Sequence, residues 1–290
     1  MAHLELGLGL ATAPGPGVDP IAEAEAAERH GFDFVSESDH LHGATPTYEP
    51  WTLLTTIAAR TTRLRVLTRV LAVPYRNPAV TAKMAETLDR LSGGRLILGL
   101  GAGYLDDEFR AFGMPVASLR EKIGGMAEVI EIARGLWTQP ELTYEGRVHR
   151  THRARIEPKP EHPIPIWLGT YGPQTLAITG RLADGWIPSL GFAPPDQVVG
   201  LRDRVYAAAE AAGRDPSAIT AIYNILVRVE AETSGKPGVV AGPPDAIAEQ
   251  LIGFTRLGFA GFNLMPTGPD RREQIDRLGT EVLPLLRTAT

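Results

Sequence analysis

The stretch Leu64–Leu100, LRVLTRVLAVPYRNPAVTAKMAETLDRLSGGRLILGL, sets two apolar runs around a segment of helical periodicity. Leu64–Leu71 and Arg95–Leu100 are rich in Val, Ile and Leu. Both faces of these runs are apolar, as strands covered on both sides require. Between them Ala79–Leu91 reads as a helix, preceded by Pro78, whose missing N–H costs nothing in a first turn. Strand, helix, strand is the unit.

Outward from this unit the same alternation runs through the chain. Further strands are expected at Leu4–Leu10, Phe32–Glu37, Ile164–Gly169, Gly185–Ser189, Ile219–Val229 and Gly261–Met265. Further helices are expected near Ile21–His30, Trp51–Arg60, Leu119–Trp137, Gln174–Ala183, Asp196–Ala212, Asp245–Leu257 and Arg271–Leu286. Asp19 and Pro20 suit the start of the first helix, Gly31 its left-handed stop, and Pro50, Pro173, Pro195 and Pro244 open others. Eight strand–helix repeats predict an α/β fold of the (β/α)8 TIM-barrel class, with an open doubly wound sheet as the alternative. The 290 residues fit one such domain, 1–290, with short insertions. Those insertions are Ala102–Ser118, an extended excursion over 138–160, and a Gly/Pro-rich loop at Gly235–Gly242.

Composition narrows the function. With 43% hydrophobic and 22% charged residues, a large core can form. The net charge of −5 is dispersed, with no basic stripe, so nucleic acid is not an expected partner. Cysteine is lacking, which excludes disulfides, Cys-bound zinc, iron–sulfur clusters and thiol catalysis. The opening MAHLELGLGL does not read as a signal peptide, and no apolar run approaches the ~20 residues of a membrane helix. A cytoplasmic protein without a membrane partner is expected. His149 and His152 lie three apart in a basic segment without an accompanying carboxylate, so no metal site is expected. His30 suits the end of the first helix, whereas His3 and His162 have no evident partner. Without G-x-S-x-G, a serine hydrolase of the usual type is not expected.

Barrel active sites gather at the carboxyl ends of the strands. There lie Asp39 and His40; Thr68, Arg69, Val70 and Leu71; Gly101, Ala102, Gly103 and Tyr104; Gly169, Thr170, Tyr171 and Gly172; and Pro188 and Ser189. LGLGAGYLDDEF lacks the glycine spacing of a dinucleotide fingerprint and reads by itself as a tight turn. In GTYGPQTLAITG, Gly172 and Pro173 open a helix, leaving the N–H groups of Gln174 and Thr175 free to face an anion. Two such turns on neighbouring strand ends suggest a cofactor that carries a phosphate.

The segments ERHGFDFVSESDHLH, YRNPAVTAKMAETLDRLSGGRLILGLGAG, RIEPKPEHPIPIWLGT and GRLADGWIP resemble the bacterial luciferase-like superfamily. The resemblance leans towards the branch that uses the deazaflavin coenzyme F420 rather than FMN. It implies a barrel with the ring system in its C-terminal mouth and Asp39-His40 beside the reactive face. It also implies a strand-three bulge, with a non-prolyl cis peptide within Thr68–Leu71, behind the ring. The phosphate and tail would lie on Gly101–Tyr104 and Tyr171–Thr175. The implied activity is hydride transfer between the coenzyme and a small organic substrate, His40 exchanging the proton while Asp39 sets its tautomer or pKa. An FMN-dependent monooxygenase and a non-catalytic flavin carrier are the alternatives, and a homodimer is expected. Relatives acting on sugar phosphates carry a Glu after the Gly-rich turn and a lysine near IPSLGFAPP; here Tyr104 follows the turn and the lysine is missing. Arg69 stands where a small residue is usual. There it could crowd the ring or clamp its carbonyls, while the missing Glu and lysine argue against a sugar-phosphate substrate.

Overall fold

In the computed structural model, which describes residues 3–15, 17–44, 46–233 and 235–289, the strands close on themselves. In chain order the barrel strands are Glu5–Gly9 (β1), Phe34–Glu37 (β2), Arg65–Thr68 (β3), Leu96–Gly101 (β4), Ile166–Leu168 (β5), Gly185–Trp186 (β6), Thr220–Val229 (β7) and Gly261–Pro266 (β8). Each is parallel to its neighbours, and β8 returns to β1 with Gly261 opposite Glu5. Closure excludes the open sheet. Helices Pro20–His30 (α1), Pro50–Arg60 (α2), Pro78–Ser92 (α3), Leu119–Thr138 (α4), Pro173–Leu182 (α5), Pro195–Ala211 (α6) and Pro244–Thr255 (α7) surround the strands. Arg271–Arg277 (α8) completes the ring and continues through a π-helical turn at Leu278–Val282 into Leu283–Thr288.

The boundaries follow local chemistry. Asp19 accepts from the N–H groups of Ile21 and Ala22, and Gly31 ends α1 at φ 86°. Asn77 caps α3, and Ser118 and Glu121 form a capping box on α4. Expected strand three, Leu64–Leu71, is interrupted after Thr68 and resumes at Leu71–Ala72 beside β4. Expected strand six ends at Trp186, and only a bridge from Ser189 to Asn224 continues it. The insertion after β4 contains a short helix, Asp106–Ala111. The excursion over 138–160 is a hairpin of Leu142–Glu145 and Arg150–Ala154. The expected loop Gly235–Gly242 is partly a strand, because Val239–Gly242 pairs with the end of β7. The histidines expected to lack partners have them: His3 meets Asp33 at 3.0 Å and His162 meets Asp89 at 2.9 Å. His30, at the end of α1, also meets Asp276 at 2.9 Å. Among the described residues no helix is long and apolar enough to cross a membrane.

Two apolar regions result. The larger lies between the strands and the helices. The smaller fills the barrel: Phe34, Leu67, Ile97, Trp167, Ile187 and Ile222. Phe34 and Trp167 meet edge-on at 5.8 Å between centroids. Gly7 makes room for Phe34, since a Cβ there would come within 2.0 Å of its ring, and Gly185 does the same for Trp167. The barrel is therefore plugged below and can open only above.

Candidate active site at the carboxyl ends of the strands

Above the plug, the inward positions turn polar. Arg69 Nε donates to Ser36 Oγ at 3.0 Å, and Ser36 Oγ donates to Asn263 Oδ1 at 2.9 Å. Asn263 Nδ2 donates to Asn224 Oδ1 at 2.6 Å, and Asn224 Nδ2 to Ser189 Oγ at 2.8 Å. The Ser189 N–H donates to the Tyr171 hydroxyl at 2.9 Å. This chain of bonds links the ends of β3, β2, β8, β7, β6 and β5. At β1 the level is occupied by Gly9, where a Cβ would lie 2.6 Å from the Met265 side chain. Each side chain of this ring has a partner within it, as a low-dielectric interior demands. Asn263 had a signal in the sequence: it is the one polar side chain in the strand GFNLMP, whereas Ser36 sits beside Glu37 and Asn224 shares its strand with Arg228.

Among the described residues, one buried side-chain oxygen lacks a partner. Glu37 is 1% exposed; its Oε1 accepts from the Ser38 N–H and hydroxyl, while Oε2 accepts from nothing. Burial pushes its pKa up to about 7, against the opposing charge of Arg69. Burial likewise lowers the pKa of Arg69, with Glu37 opposing.

The β3 interruption carries a cis peptide between Arg69 and Val70, within the expected stretch. Asp39 holds the far side of this bulge. Its carboxylate accepts from the Ala72 N–H at 2.9 Å and from both Nη atoms of Arg76, at 2.7 and 3.0 Å. Asp39 is thus committed to the bulge and does not orient His40, contrary to the role expected for it. Adjacent residues at a strand end point apart, and a bidentate arginine satisfies the carboxylate. His40 Nδ1 instead meets Glu108 Oε1 at 3.1 Å, and the Tyr75 hydroxyl donates to Glu108 Oε2 at 2.7 Å. Burial and Glu108 together push the Tyr75 pKa well above its ordinary range, so the phenol remains a donor. Glu108 reaches the site from the short helix after β4. Nothing in its sequence position sets it apart from Asp106 and Asp107 beside it.

These groups border a cavity of about 820 Å³ in the barrel mouth. Its lining includes Asp39, His40, Arg69, Val70, Gly101, Ala102, Gly103, Tyr104, Gly169, Thr170, Tyr171, Gly172, Pro173, Gln174, Thr175 and Ser189. Of the residues expected to hold a cofactor, Leu71 alone is turned away: it is 2% exposed and packs in the core between the strands and the helices. Thr170 is buried, bonded through Oγ1 to Thr179 at 2.7 Å, and its carbonyl accepts from the Trp186 indole. That anchoring positions the turn before α5. The N-terminus of α5 has no side-chain cap, so its first N–H groups face the cavity edge unpaired.

The match to known proteins extends beyond this geometry. Residues 9–234 fit the model of the luciferase-like monooxygenase family. The chain belongs to that family. A relative named F420-dependent glucose-6-phosphate dehydrogenase, from Intrasporangium calvum, is 30% identical over 90% of this chain and 92% of its own. The fold is similar to that of an F420-dependent secondary alcohol dehydrogenase solved with an F420-acetone adduct, at TM-score 0.88 and 20% identity, covering 98% and 99% of the two chains. It is also similar to a monooxygenase from Streptomyces bottropensis, at TM-score 0.81 and 24% identity, covering 97% and 99%.

Proposed function

We propose that this luciferase-like barrel is an oxidoreductase that uses coenzyme F420 to move a hydride to or from a small organic molecule. The observation that carries the reading is the pairing of His40 with Glu108 at the wall of a mouth that also offers an anion site. The residues present fit such a cofactor. Nothing in the chain itself demands glycine at 172: its φ of −77° and ψ of 152° suit any residue, and a Cβ would meet no atom nearer than 3.6 Å. A missing side chain at an uncapped helix start leaves the backbone open to a phosphate. Val70, on the bulge, can back a flat ring, and Arg69 can face its carbonyl edge. When bound, the deazaflavin supplies a carbon that gives or takes a hydride.

The chain's own part is to manage the proton. Nδ1 of His40 faces Glu108, which places the N–H on that side and leaves Nε2 as the free base or, when charged, the free acid. Glu108 is held by Tyr75, so the imidazole is oriented before substrate arrives. Asp39 acts through Arg76 and Ala72, keeping the bulge in place. The names of the F420-dependent relatives support the choice of cofactor, and the family's monooxygenases make FMN its rival. Fluorescence titration separates the two: F420 is expected to bind at least ~10-fold more tightly than FMN, about 1.4 kcal/mol. Tighter binding of FMN, or oxygen uptake with reduced FMN and substrate, would favour the monooxygenase.

A further inference from the structure

We propose that the outer half of the cavity is a subsite for an uncharged, largely apolar substrate, such as an alicyclic or aromatic ketone or alcohol. This rests on the oxidoreductase reading above. The wall in question combines Tyr104 and Leu105 after β4, Leu119 and Ile123 of α4, and Phe192 after β6. Large apolar side chains usually leave water, yet Tyr104 is 72% exposed, Leu119 73% and Phe192 70%. They converge on one opening from separate segments of the chain. Exposed apolar surface gathered around a cavity marks a place where a ligand removes it from water.

Charge supports the same assignment. Among the described residues, the basic side chains of the lining are Arg69 and His40; His40 meets the edge of Tyr104, but its ring is held by Glu108. Arg69 lies on the polar ring through Ser36, and His40 faces Glu108. Lys122, next to Ile123 in the chain, is 7% exposed, paired with Asp106, and 5.3 Å over the Phe109 ring. Arg110 pairs with Asp107 at 2.6 Å. Arg120, next to Leu119, lies outside the lining. A phosphate dianion entering this wall would lose water and find no charge-assisted partner, which is costly. An apolar ring would lose nothing comparable. The subsite thus departs from the glucose 6-phosphate for which the 30% identical relative is named.

For a ketone the step balances with groups already placed. Hydride from the reduced coenzyme forms the new C–H bond at the carbonyl carbon, and the C=O π pair passes to oxygen. That oxygen takes the proton of His40 Nε2, and the coenzyme leaves oxidised.

The test is binding rather than turnover. F420-loaded protein is titrated by calorimetry with cyclohexanone and, separately, with glucose 6-phosphate. Cyclohexanone is expected to bind at least ~10-fold more tightly. Leu119→Ser, at an exposed first helical position where folding is not at risk, should weaken cyclohexanone about fivefold. The same variant should leave F420 affinity within about twofold. Tighter binding of glucose 6-phosphate, no binding of cyclohexanone, or equal affinity in parent and variant would overturn the subsite. Cyclohexanone binding retained in a protein that fails to bind F420 would instead break the cofactor reading alone.

Discussion

The same eight strands build two unlike regions, one above the other. Below, Phe34, Leu67, Ile97, Trp167, Ile187 and Ile222 interlock, and glycines 7 and 185 are there because neighbouring rings occupy the space of a Cβ. Above, the inward residues are Ser36, Arg69, Asn224 and Asn263, and the glycine at 172 faces a cavity rather than a ring. A plug filled by shape resists replacement and holds nothing else. A polar ring satisfied bond by bond, with an orphaned carboxylate beside it, is built to hold groups in position. Stability and chemistry are therefore separable along the barrel axis, and substitutions should separate them.

The largest effect belongs below. Phe34→Ala empties the centre of the plug and should cost about 3–5 kcal/mol of stability, since the closed barrel cannot collapse into the space. Chemical denaturation measures it. At a temperature where the variant is still folded, F420 affinity should match the parent within about threefold. A large loss of affinity without loss of stability would reverse the proposed division.

Glu37 offers the mouth its own stability signature. The unfolded carboxyl titrates near 4.5 and the folded one near 7, so the folded state holds the proton more tightly. Stability is then fully present below about pH 4.5 and declines as pH rises to about 7, by on the order of 3 kcal/mol. Glu37→Gln keeps the neutral shape and should remove most of that decline, leaving the variant more stable than the parent at pH 8. Melting curves from pH 5 to 8 decide it; parallel pH dependences would mean that Glu37 is ionised throughout.

His40 should show the opposite pattern from Phe34. His40→Ala removes a half-exposed ring whose contacts are Glu108 and the edge of Tyr104, so the melting temperature should barely move. Turnover should fall ~10²-fold or more, about 2.7 kcal/mol of transition-state stabilisation, with coenzyme affinity nearly unchanged. Steady-state kinetics beside a cofactor titration makes the comparison. Unchanged turnover would leave the imidazole without a part in the reaction.

What could be seen in the sequence divides along the same axis. The strands and helices were legible because strand and helix periods repeat, and because Asp19 and the prolines mark helix starts where the backbone needs them. The positions of the mouth residues followed from the rule that chemistry collects at strand ends. Their partners did not. Asp39 and His40 are adjacent in the chain yet bond to Arg76 and Glu108, 37 and 68 residues away. A strand end sends neighbouring side chains in different directions, and only the folded loop after β4 decides which carboxylate arrives. Leu71 failed for a related reason: it was grouped with Arg69 and Val70 as one strand end, whereas the strand resumes at Leu71 and turns that side chain into the core.

The smallest effect tests how far the mouth's openness is chemical rather than structural. Gly103, at φ 74°, and Gly101, whose Cβ would come within 2.6 Å of Val70, are held by the fold, so changing them would confuse packing with binding. Gly172 is free of both constraints: its backbone suits any residue, and Thr175 Oγ1 at 3.6 Å is the nearest atom to a Cβ. Valine there can be accommodated by the protein alone. It would, however, place two methyl groups beside the unpaired N–H groups that open α5, where a phosphate needs close backbone approach. Gly172→Val should thus keep the parent's melting temperature within a few degrees and weaken F420 about 10-fold, near 1.4 kcal/mol. Calorimetric titration reads the affinity and a melting curve reads the fold. Equal affinity in the two proteins would mean that the phosphate rests on another turn, and Gly101–Tyr104 would be the place to look next.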